Sequence, residues 1–156
     1  PMVTGAIKTF TQKVNWSGLD FIIVDMPPGT GDTQLTFSQE IKIDGAIIIS
    51  TPQEVALLDV IRGIKMFDKL GVKILGLVDN MSFFIGDDSK KYKIFGEGGV
   101  KKTAKEFKKE FLGEIPINSE IGRYSDEGKP IVESDNNHEV SKIYINFANK
   151  IKSTYL

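Results

Sequence analysis

Three short, continuous apolar runs constrain this chain more than any other feature. They lie at residues 19–24 (with Phe21, Ile22, Ile23 and Val24), 46–50 (Ile47, Ile48, Ile49) and 73–78 (Ile74, Leu75, Leu77, Val78). A strand covered on both faces has no need of polar alternation, so these runs predict a parallel sheet with helices on both sides. Between the second and third runs, residues 53–70 place Val55, Leu58, Ile61 and Ile64 at helical spacing, and Gly71 follows as a C-cap. Residues 34–41 predict a shorter helix after the first run. The order strand, helix, strand, helix, strand argues right-handed parallel crossovers in an α/β sheet.

Downstream, a polar loop at 87–91 separates Phe83, Phe84 and Ile85 from Tyr92, Ile94 and Phe95, which predicts a surface hairpin. Residues 98–110 read as a basic amphipathic helix burying Val100, Ala104 and Phe107. A fourth short strand is expected over 111–115, ending at Pro116. A closing helix over 139–151 carries Val140, Ile143, Phe147 and Ile151 on one face. No repeat or linker interrupts the pattern, so residues 1–156 are expected to form a single domain.

Composition narrows the function. With 20 Lys+Arg against 21 Asp+Glu, the net charge of −1 offers no field for gathering nucleic acid or anionic lipid. The apolar runs are too short to cross a bilayer. No charged-then-apolar leader opens the chain, so a cytoplasmic location is the expectation. The start at Pro1-Met2 is expected to reflect processing or a fragment. There is no cysteine, which excludes disulfides, thiolate catalysis and cysteine-ligated metal in this chain.

The sharpest motif is Asp25-Met26-Pro27-Pro28-Gly29-Thr30-Gly31-Asp32, directly after the first apolar run. An aspartate ending a parallel strand sits at the carboxyl edge of a sheet, where α/β proteins bind ligands. Such a carboxylate suits Mg²⁺, often through water, and the following glycines let backbone N–H groups approach a phosphate. The plainer reading is a tight strand-to-helix turn with Asp32 capping the next helix.

This stretch, residues 19–34, resembles the Walker B and switch II segment of MinD/ParA-like P-loop ATPases, and more narrowly that of the Mrp (ApbC) family of iron–sulfur cluster carriers. The resemblance continues through 51–59, Arg62-Gly63-Ile64, Asp79-Asn80-Met81-Ser82, Ile94-Phe95-Gly96, 111–116 and 126–132. It implies the P-loop NTPase fold, ATP and Mg²⁺ as cofactors, a homodimer, and apo iron–sulfur proteins as clients, with no nucleic-acid or membrane partner. Residue by residue, it implies Asp25 as the Walker B carboxylate acting on Mg²⁺ through water. Gly29 would offer its N–H to the terminal phosphate, and Asn80 would bond the adenine edge, where an amide can donate and accept at once. Pro116 and Ile117 would flank the base. A turn residue is the plainer reading of Asn80, and a strand terminus that of Pro116-Ile117.

Two departures qualify the resemblance. The family's Walker A loop and water-positioning aspartate lie upstream of the matched segment, so this chain resembles the C-terminal part of such an ATPase. No catalytic residue is assignable in it, and it is expected to be inactive in hydrolysis alone. Glu97-Gly98-Gly99-Val100-Lys101-Lys102-Thr103 imitates a Walker A loop, but Glu97 would repel phosphate and Lys101 replaces a glycine; a helix start is expected there. Second, many members carry a Cys-x-x-Cys pair after the Asn-Met-Ser motif. Here residues 83–92 offer only Asp87 and Asp88, hard ligands poorly suited to a cluster.

The alternatives are a MinD/ParA-type positioning ATPase and a non-catalytic interaction module. Between Lys90 and Lys109 lie 8 of the 20 basic residues, interrupted by Glu97 and Glu106, which reads as a solvated helix face. His138 is expected at the surface. In the family the phosphate-loop strand neighbours the Walker B strand; lacking it, residues 19–24 would be an unpaired edge, and weak stability or association is expected.

Overall fold

The computed structural model describes residues 2–26 and 31–155. The elements run α1 (Met2–Gln12), α2 (Asp32–Glu40), β1 (Ala46–Ser50), α3 (Glu54–Lys69), β2 (Ile74–Ile85), β3 (Lys91–Tyr92), α4 (Gly99–Glu106), β4 (Phe111–Ile117), α5 (Ser119–Asp126), α6 (Ile131–Ser134) and α7 (Glu139–Tyr155). β2 is central: it pairs in parallel with β1, Ile48 opposite Leu77 and Ser50 opposite Asp79, and in parallel with β4, Asp79 opposite Glu114. β3 adds antiparallel to the far end of β2, Phe84 opposite Tyr92.

Helices cover both faces, as continuous apolar strands require. On one, Val60, Ile64 and Phe67 of α3 and Val100 and Ala104 of α4 enclose Ile74 and Leu77. On the other, Ile143, Tyr144 and Phe147 of α7 pack against Val78, Leu112 and Ile115. Strict alternation along β2 sends Leu77 to the first face and Val78 to the second.

The expected strand at 19–24 does not form. Residues 21–26 run without strand pairing among the described residues. Leu19, Phe21, Ile22, Ile23 and Val24 are all exposed, Ile23 to 82 %. An apolar run becomes a strand only where a neighbour takes up its N–H and C=O groups, and none of the described strands does so. β1 pairs on one side only, with β2, and its Ile49 is 60 % exposed. Two contacts restrain the unpaired segment: Met26 packs against the α3/α4 core, and the Phe21 ring meets Tyr155 edge-on at 6.4 Å.

Other differences are smaller. The third strand runs on past Val78 to Ile85, because Met81 takes a left-handed φ of 52° and the chain then re-enters an extended course as a hairpin arm. The basic helix stops at Glu106, followed by Lys108 at φ 53°. α1, α5 and α6 carry no strong period and were not expected. β4 continues through Pro116, tolerable because β4 pairs only with β2.

Candidate functional site

The carboxyl ends of β1, β2 and β4 converge on one edge of the sheet, and three of the expected site residues stand there. Asn80 is the last residue of β2 before the turn at Met81, and it lies opposite Ile115. Pro116 and Ile117 follow Ile115 directly, so Asn80 and the Pro116-Ile117 pair occupy neighbouring strands at the same level. Asn118 ends the strand by capping α5, its Oδ1 accepting from Glu120 N at 2.8 Å. The edge is stiffened from beneath by buried Ser82, whose Oγ donates to the Ile115 carbonyl at 3.2 Å.

Asp25 is exposed, at the end of the unpaired segment, one residue before the anchored Met26. Gly29 lies outside the described residues. Among the described residues no group of three or more His, Cys, Asp or Glu is arranged to hold a metal ion. Asp25 therefore fits Mg²⁺ as one oxygen ligand of a set completed by water and phosphate. Two open grooves flank β4, of about 560 Å³ along α4 and about 440 Å³ along α7, and neither is lined by Asp25, Asn80 or Pro116.

The imitation phosphate loop is a helix start, as expected. Gly98 turns at φ 66°, α4 begins at Gly99, Glu97 pairs with Lys93, and Lys101 reaches over the Phe111 ring at 5.9 Å. Lys109 binds Asp68 of α3 at 2.6 Å, a structural tie. His138 is half-buried where the surface was expected. Its Nδ1 accepts from Val140 N at 3.1 Å and so caps α7.

One residue of this edge escaped the sequence reading. Asp79 is only 1 % exposed, and its Oδ1 is buried with no hydrogen-bond donor. Burial, assisted by the Glu114 carboxylate and opposed by Lys93, pushes its carboxyl up to about 6. An acid inside the apolar run 74–78 and beyond was the available signal.

Known proteins now bear on this geometry. The family model described as "ParA: NUBPL iron-transfer P-loop NTPase" matches residues 1–152. The chain belongs to that family. Among relatives of the NUBPL-type chain, an iron-sulfur cluster carrier protein of Synechocystis sp. is 49 % identical over 136 residues, 86 % of this chain and 38 % of the relative. The iron-sulfur cluster transfer protein NUBPL of Mus musculus is 44 % identical over 151 residues, 96 % of this chain and 47 % of the relative. The NUBPL-type chain thus spans about half the length, or less, of these curated relatives.

Solved structures agree. A nucleotide-binding protein from Archaeoglobus fulgidus, in complex with ADP, superposes with a TM-score of 0.74 at 39 % identity, over 82 % of this chain and 53 % of that one. The cell division ATPase MinD of Pyrococcus furiosus superposes with a TM-score of 0.70 at 21 % identity, over 97 % of this chain and 57 % of that one, a likeness of fold. The NUBPL-type chain is therefore an α/β P-loop NTPase fold, as the apolar runs implied.

Proposed function

We propose that this chain supplies the adenine-contacting and switch portion of an ATP-binding iron–sulfur cluster carrier that works as a homodimer. The observation that carries the reading is the placement of Asn80 beside Pro116-Ile117 at the carboxyl edge of a family-matched sheet. In this reading the Asn80 amide reads the adenine edge, and Pro116 and Ile117 flank the base. Asp25 holds Mg²⁺ through water, and Gly29 offers its N–H to the terminal phosphate, so that the 25–32 loop responds to the nucleotide bound. Mg²⁺, when bound, screens the phosphate charge; the protein's part is to orient the base and to place one carboxylate near the phosphates.

The cluster is cargo in this reading, delivered to apo iron–sulfur proteins. The chain has no cysteine, so thiolate ligands for a cluster must come from outside these residues. The ADP-bound Archaeoglobus relative and the carriers named above support both halves of the reading.

The test is titration of fluorescent ADP with Mg²⁺ into the protein and into Asn80→Ala. We expect a loss of about tenfold in affinity, the scale of one well-formed hydrogen-bonding pair. Equal affinity for the two proteins would remove Asn80 from the site.

A further inference from the structure

Ser50 and Asp79 lie opposite one another on neighbouring parallel strands. Ala46 and Ile48 of β1 pack into the α3/α4 core together with Leu77, so alternation puts Ser50 and Asp79 on that same face, side by side. The Ser50 hydroxyl nevertheless turns away and donates to the Thr51 carbonyl at 2.9 Å. The Asp79 Oδ1 next to it is buried and has no donor. A hydroxyl can rotate about one bond to serve either acceptor, and an unpaired buried carboxylate oxygen is costly when ionised.

We propose that Ser50 and Asp79 form a hydrogen-bond latch that positions the 51–53 loop, with Ser50 Oγ exchanging between the Thr51 carbonyl and Asp79 Oδ1. The structure holds the first arrangement. In it the loop is closed upon itself, Thr51 Oγ1 donating to Gln53 Oε1 at 3.1 Å, and is clamped against the start of α4. There a Cβ on Gly99 would stand 2.5 Å from the Pro52 carbonyl oxygen. In the second arrangement Ser50 satisfies the ionised Asp79, and the Thr51 carbonyl is released to water.

Protonation of Asp79 selects between them. The neutral carboxyl tolerates the missing donor, whereas the carboxylate recruits the hydroxyl. The charged groups facing Asp79 are Glu114 from β4, which resists its ionisation, and Lys93 from the turn before α4, which favours it and is shared with Glu97. α3 and α4 present apolar side chains and Thr103 to this face. One residue beyond the Ser50–Asp79 pair stand Thr51 and Asn80, so the latch sets the loop level with the proposed adenine contact. That consequence for the nucleotide rests on the function proposed above; the latch itself does not.

The experiment is an NMR titration of the full chain from about pH 4.5 to about pH 8, following the Asp79 side-chain carboxyl and the amides of Thr51 and Gln53. All three are expected to shift with one common midpoint. Asp79→Asn should abolish the amide shift, Ser50→Ala should abolish it while Asp79 still titrates, and Ser50→Thr should restore it. Loop amides that ignore pH in the parent, or that still shift in Ser50→Ala, would overturn the latch. In a parallel arm, affinity for fluorescent ADP is expected to change about threefold or more across the same midpoint, and to be flat in Asp79→Asn. Binding with no such step would overturn the link to the nucleotide. No binding at any pH, with the amide shift intact, would sink the nucleotide reading and leave the latch standing.

Discussion

Tyr155 donates its hydroxyl to the Asp44 carbonyl at 2.8 Å, binding the last turn of α7 to the loop that leads into β1. The same ring carries the edge-on contact from Phe21. Tyr155→Phe keeps the ring and loses the bond, and is expected to cost about 1 kcal/mol in urea denaturation. Tyr155→Ala also removes the Phe21 contact, so a larger cost, about 2 kcal/mol, is expected. Equal losses for the two variants would show that the ring contact contributes nothing.

Asp79→Asn is expected to change how stability depends on pH. The native carboxyl lies at about 6, above its ordinary 3.8. The folded chain therefore binds this proton more tightly than the unfolded chain does. That contribution is complete below 3.8 and disappears as pH rises through about 6. The stability of Asp79→Asn minus that of the parent should increase with pH across this window, by up to about 3 kcal/mol. A constant difference from pH 4 to pH 7, read from denaturation midpoints, would contradict the buried charge.

Gly113→Ala is expected to be destabilising by about 1–3 kcal/mol. The backbone there has φ 150°, and a Cβ would meet Phe147 Cε1 at 2.9 Å. Phe147→Leu should recover part of the loss in the double variant if the clash with α7 dominates over the backbone. Additive losses in a double-mutant cycle would assign the cost to φ alone.

Leu77→Ala empties a fully buried position between α3, α4 and the sheet and should cost about 2–5 kcal/mol. Ile23→Lys, at an 82 % exposed position, should change unfolding stability by no more than about 0.5 kcal/mol. Its effect should appear instead in sedimentation velocity, where Ile23→Lys and Ile49→Lys each reduce concentration-dependent association of the chain. Association that is unchanged in both would place the contact elsewhere.

The comparison of sequence and structure turns on neighbours. Residues 46–50 and 74–78 are apolar and β-branched, and they found partners in each other and in β4, so their strands stood where expected. Residues 19–24 have the same composition, yet composition cannot supply the second strand that would pair them. Asn80, Pro116 and Ile117 were legible because a short motif fixes them at strand ends. The Asp79–Ser50 juxtaposition was not, because parallel register between distant segments is set by packing that no local pattern records. His138 was misplaced for a similar reason: a lone histidine carries no period, and its role came from the helix start beside it.

The left-handed turn at Met81 divides β2 into a half buried in the sheet and a half that projects with β3. Two tasks are thereby written on one continuous strand and kept mechanically apart. Replacement of side chains at the tip of the projecting arm, such as Asp87 and Asp88, leaves the packing around Asn80 untouched. A protein built this way can exchange what it carries at the arm without relearning how it reads a nucleotide.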